Sequence, residues 1–164
     1  MAYLSAQWRK AFAQQADSDK QVYEVLCKVP GLPVCHRLHY LQMFLEKLCK
    51  ANIPLGSTHN VVAKVLPNLL RDFWRRHHKK GVVRDMKELR RICEEIDYLT
   101  PAVNDGGRRK DNVEYPWETT DSSGPIVLAP CKGDFRLDQR LRSSVGRELL
   151  KGALGLCGET IAKG

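Results

Sequence analysis

Residues 34–51 read VCHRLHYLQMFLEKLCKA, and this stretch decides the fold. Leu38, Leu41, Leu45 and Leu48 recur at spacings of three, four and three, which lines them up on one side of a helix. Tyr40 and Phe44 widen that side. Pro30, Gly31 and Pro33 stop the chain before it, and Asn52, Pro54 and Gly56 stop it afterwards. The pattern predicts an amphipathic helix with an apolar face that other helices must cover.

Helices are predicted on both sides. Downstream, one spans 58–80 with Pro67 inside it, so Pro67 must either kink that helix or begin a new one at its first turn. Its later half reads Leu69, Leu70, Phe73 and Trp74, then Arg75 to Lys80. Gly81 is its candidate C-cap. Another helix spans 83–99, with Met86, Leu89, Ile92, Ile96 and Leu99 on one side. Upstream, a helix over 4–27 carries Trp8 and Phe12 as its buried edge, with a break near Asp17–Asp19. Its first sixteen residues hold Arg9 and Lys10 and no acid, which also suits a short organellar targeting helix.

From Ala102 to Asp134 the periodicity dissolves. Asn104 to Gly107 and Asp121 to Pro125 read as turns, and Ile126 to Leu128 as one short strand. Tyr115-Pro116-Trp117 is an aromatic patch on a loop, placed to anchor on a neighbour or on the chain's own helices. A last helix over 135–151 follows Asp134 as N-cap, and Gly152, Gly155 and Gly158 weaken what comes after.

Composition narrows the function. The net charge is +8 and the isoelectric point about 9.3, which favours nucleic acid, an anionic membrane face or an acidic protein as partner. A basic compartment-wide composition is the plainer explanation. No apolar run reaches the length of a spanning helix. The six cysteines (27, 35, 49, 93, 131 and 157) form no C-x-x-C pair and read as reduced, buried small residues.

A catalytic search finds no phosphate loop and no nucleophile elbow. Glu94 and Glu95 are adjacent on a helix and read as solvated charges. His36 and His39 lie one turn apart, and His77 or His78 could join them across a hairpin, but nothing completes a metal site. No catalytic and no metal-ligating residue is assigned, and an enzyme is not expected. The sharpest feature is basic: nine Lys or Arg stand between Arg71 and Arg91, against Asp72, Asp85 and Glu88. Arg71, Arg75 and Lys79 share one helical face at spacing four. An anionic partner would gain on-rate and orientation from that field. A plain solvated face is the alternative.

The order of these pieces over residues 34–100 resembles the LYR-motif (Complex1_LYR-like) family of small mitochondrial proteins. The likeness rests on the Leu/Tyr stripe, on Arg71-Asp72-Phe73-Trp74-Arg75-Arg76-His77 with a lysine after it, and on the third amphipathic helix. The Leu-Tyr-Arg text is absent, and its nearest counterpart is Leu38-His39-Tyr40-Leu41. The resemblance implies a three-helix bundle that clasps the acyl chain of an acyl carrier protein. Leu41, Leu45 and Phe73 would then form the acyl-chain groove, and Arg71, Arg75, Arg76, Lys79 and Lys80 would grip the acidic carrier. No cofactor would be bound directly; the acyl-phosphopantetheine would arrive on the partner.

The expected architecture is therefore all-α. An N-terminal helical segment (1–33) precedes a three-helix core (34–100) and an irregular arm ending in a helix (101–164). The expected function is that of a non-catalytic accessory subunit or assembly adaptor of a multi-subunit respiratory-chain complex. It would act in the mitochondrial matrix or on the matrix side of the inner membrane. An RNA-binding structural component of an organellar ribosome is the alternative.

Overall fold

The leucine stripe is buried throughout: Leu38, Leu41, Leu45 and Leu48 are at most 1% exposed. They belong to α2 (Val34–Ala51) of a computed structural model. The structure describes residues 2–54, 60–77, 85–99 and 112–163, with side chains from residue 6 onward. The expected all-α architecture with a C-terminal helix is what it shows. Besides α2, the helices are α1 (Ala2–Leu26), α3 (Val61–Arg76), α4 (Met86–Tyr98), α5 (Arg136–Leu141) and α6 (Ser144–Ala162). A hairpin of β1 (Trp117–Asp121) and β2 (Gly124–Leu128) stands between α4 and α5.

Local chemistry explains some helix ends. Gly31 takes a positive φ of 73° in the turn between α1 and α2, a conformation that costs glycine little. The Asp85 side chain accepts from the Glu88 N–H at 2.9 Å and caps α4, with an acid three residues on as in a capping box. Ser143 caps α6 by accepting from Gly146 N–H. α3 lacks a cap of its own, since Asn60 sits in the left-handed region with no side-chain bond. Asp97 of α4 substitutes, accepting from Val62 N–H at 3.3 Å and Ala63 N–H at 2.7 Å. That contact pins the end of α4 to the start of α3, so the two helices run antiparallel as neighbours.

Several expectations give way to the structure. α1 does not break near Asp17–Asp19, because both acids accept hydrogen bonds from side chains of the same helix. Asp17 accepts from Lys20 and Gln21, and Asp19 accepts from Gln15, at the spacings where helical side chains meet. Trp8 is not a buried edge: it is 54% exposed. α3 runs on through Pro67, whose missing N–H deprives the Ala63 carbonyl of its helical donor. The predicted ends of that helix at 78–80, and Gly81, lie outside the described residues, as does the turn at 104–107. The single strand at 126–128 is one half of a hairpin, paired Trp117 to Leu128 and Asp121 to Gly124. Trp117 turns inward onto Phe135, edge to face at 6.2 Å, while Tyr115 stays 60% exposed.

The largest departure is the C-terminus. The predicted helix over 135–151 is two helices divided at Arg142–Ser143, and Phe135 precedes the first where Asp134 was expected as cap. The glycines do not weaken the second, which continues to Ala162. Instead, Gly152 and Gly155 let it fit against α3. A Cβ on Gly152 would stand 3.0 Å from Leu70 and Trp74, and one on Gly155 would stand 2.6 Å from the Phe73 ring. One hydrophobic core accordingly runs from Ala16 through α2, α3 and α4 to Cys157, so 34–100 and 101–164 share an interior. Polar ties join the same pieces. Arg37 pairs with Asp138 at 2.7 Å, and Arg140 with Glu88 at 2.8 Å and Glu95 at 3.2 Å.

Candidate functional site: a basic face on α3 and α4

The exposed residues of α3 follow helical spacing. Lys64, Asn68, Arg71 and Arg75 stand on its solvent side, at spacings of four, three and four in a single stripe. The Arg71 side chain is 50% exposed and that of Arg75 74%. Asp72 is the nearest acid, 3.8 Å from Arg71 and 3.9 Å from Arg75, contacts too long to bind either firmly. On α4, Lys87, Arg91, Glu94 and Tyr98 form a second exposed stripe, with Arg90 beside it. Since α3 and α4 are antiparallel, the Arg71–Arg75 end of one lies beside the Lys87–Arg91 end of the other. Arg71, Arg75, Lys87, Arg90 and Arg91 therefore share one face, with Lys64 at its far end near Asp97. The local acids of this face are Asp72, Asp85, Glu88 and Glu94, and Glu88 is turned to Arg140 as well as to Arg91.

The candidates named from the sequence divide here. Arg71 and Arg75 belong to this face. Arg76 does not: it turns to α6 and pairs with Glu159 at 2.9 Å. His77 joins the same carboxylate and lies against the Phe73 ring, centroids 4.6 Å apart. Lys79 and Lys80 lie outside the described residues. Leu41 and Leu45 are fully buried and Phe73 is 5% exposed, so these three line no open groove. Over Phe73 lies α6, whose Gly155 comes close to its ring. Lys87, Arg90 and Arg91 belong to the same basic run of sequence as Arg71 and Arg75. Only the pairing of α4 with α3 places them on the same face.

Other clusters have structural explanations. His36 is exposed, and His39 faces Glu114 at 3.5 Å. Among the described residues, no group of three or more His, Cys, Asp or Glu is placed to hold a metal ion. Burial pushes the carboxyls of Glu95 and Asp97 above their ordinary values. Glu95 is thus no solvated charge but a half-buried partner of Arg140. Cys35, Cys49, Cys93 and Cys157 are buried, as expected, and burial raises their thiols. Cys27 and Cys131 are exposed.

A groove of about 490 Å³ opens between the start of α1 and the ends of α2 and α6, with Arg9, Lys10 and Lys163 on its rim. The last residues of α2 and α6 line it, and Lys163 pairs with Glu159 at 3.5 Å. Among the described helices, none is long and apolar enough to cross a membrane. Compared with known proteins, the chain matches no family model, no curated protein and no solved structure, so the likeness to the LYR-motif family rests on the residues quoted above.

Proposed function

We propose that this chain is a non-catalytic binding protein, an accessory or adaptor subunit, that docks an anionic macromolecule on the α3–α4 face. The observation that carries the reading is the exposure of Lys64, Arg71, Arg75, Lys87, Arg90 and Arg91 on two adjacent antiparallel helices. A field of this kind orients an acidic partner and speeds its encounter more than it adds raw affinity. The partner implied by the sequence resemblance is an acyl carrier protein within a mitochondrial complex. It would meet this face by charge. Its acyl chain would have no open groove along Leu41, Leu45 and Phe73, which are buried.

The test is charge reversal at two exposed positions that support no packing. Arg71→Glu with Arg75→Glu should leave the circular dichroism spectrum and Tm unchanged. Binding to purified acyl carrier protein or to RNA should fall about tenfold or more at low salt, with a shallower salt dependence. Unchanged affinity for every anionic partner would remove the reading. A fusion to a fluorescent protein that fails to enter mitochondria would remove the compartment but not the face.

A further inference from the structure

We infer that the partner of this face is a single-stranded polynucleotide, with Tyr98 and Tyr115 as the surfaces on which unpaired bases stack. The inference rests on the preceding reading of the face as an anion dock and names the chemistry of what binds. Tyr98 occupies the same exposed stripe of α4 as Lys87 and Arg91, at spacings of four, three and four through Glu94. It is 51% exposed. The distance along the helix from Lys87 to Tyr98 is roughly 16 Å, enough to pass several phosphates.

A second ring arrives from a distant part of the chain. Val113 N–H donates to the Leu99 carbonyl at 3.3 Å, which brings the chain back to the end of α4. Asn112, only 2% exposed, accepts from the N–H groups of Glu114 and Tyr115 at 3.0 and 2.7 Å and so fixes the turn that presents Tyr115. Tyr115 is 60% exposed. Tyr98 and Tyr115 thus lie one and two residues from the two ends of one backbone hydrogen bond, at the end of a cationic stripe.

The combination separates possible partners. Cations alone serve any anion. Exposed aromatic rings also anchor protein partners, but beside a cationic stripe they add stacking on the unpaired π-faces that single strands offer and duplexes do not. Glu94 lies between Arg91 and Tyr98 and repels phosphate, so the backbone is held at Lys87, Arg90 and Arg91 and the bases reach Tyr98 beyond it. No sequence code is implied, because stacking tolerates every base.

The experiment is fluorescence anisotropy with labelled oligouridylate and oligothymidylate on the full chain, beside an RNA duplex and purified acyl carrier protein. Both single strands should bind better than the duplex, with log K falling by about 0.7 per phosphate contacted as log salt rises. Tyr98→Ala should weaken single-strand binding about tenfold and Tyr115→Ala should do likewise, while Tyr98→Phe keeps the affinity, and Glu94→Gln should improve it. Ultraviolet cross-linking of the unaltered chain to oligouridylate should map to Tyr98 or Tyr115, a result that needs no folded variant. Binding that ignores both tyrosine substitutions, or that prefers the duplex or the carrier protein, overturns this inference but leaves the anion dock standing. Binding that also ignores Arg71→Glu with Arg75→Glu overturns both.

Discussion

Glu159 shows how one side chain can redirect residues that the sequence groups together. Arg71, Arg75 and Arg76 look alike in a linear reading. The carboxylate of Glu159 takes Arg76 and His77 to α6 and leaves the other two facing water. The His77 and Arg76 donors hold its carboxyl down to about 2, from an ordinary 4.5. A depressed carboxyl stabilises the fold above its unfolded value, and that contribution drains as the pH falls from about 4.5 toward 2. The group sits at the surface, where water screens it, so the contribution is at most about 1 kcal/mol. Glu159→Gln should therefore lower the urea midpoint slightly at pH 7, and the difference from the unaltered chain should shrink below pH 4.5. An equal difference at pH 7 and pH 3 would show that the carboxylate charge plays no part. Gly152 and Gly155 carry a related lesson. Their period of three was visible in the sequence, yet small residues read as helix weakeners until the ring of Phe73 and the side chains of Leu70 and Trp74 are seen to occupy the space.

At the scale of elements, the helices with a strong apolar period were legible to within a few residues. Leu38 to Leu48 in α2 and Leu89 to Ile96 in α4 are buried on the side the spacing names. What the spacing could not supply was contact between elements distant in the chain. The start of α3 illustrates this, since Asn60 offers no cap and the acceptor comes from Asp97, more than thirty residues away. Both N–H groups it serves would otherwise be orphans of the first turn. Asp97→Ala should cost about 1–2 kcal/mol in urea unfolding, and it should do so without removing any apolar contact. Hydrogen exchange should show the loss at the amides of Val62 and Ala63 first. Loss spread evenly over the chain would mean that Asp97 supports the core in another way. The basic face depends on the same contact, because it holds the cations of α4 beside those of α3. The candidate site was thus half legible: the cluster was plain in the sequence, but its boundary was set by Glu159 on one side and Asp97 on the other.

At the scale of the whole molecule, the decisive element is the one that looked most like an appendage. Residues 34–100 resemble a self-sufficient three-helix core, and the remainder reads as arm. In the fold, α6 meets α1, α2, α3, α4 and α5, and Leu149, Ala153, Leu156 and Cys157 are at most 3% exposed. Without it, Leu70, Phe73 and Trp74 would face water, and the hydrophobic effect would lose the burial of three large side chains, each worth about 1.5–3 kcal/mol. Removing α1 as well would uncover the outer side of α2. A total of that size rivals the whole stability of an ordinary domain, about 5–15 kcal/mol. A fragment of residues 34–100 should therefore lack near-ultraviolet circular dichroism and a cooperative thermal transition, and added acyl carrier protein alone should not restore them. The full chain truncated after Ser143 should behave in the same way. A separately added peptide of residues 144–163 should restore the cooperative transition, since the interface it fills is already shaped by Gly152 and Gly155. A fragment 34–100 that melts cooperatively on its own would instead mean that α6 is a removable cover over a finished bundle, and Leu41, Leu45 and Phe73 would again be candidates to line a groove.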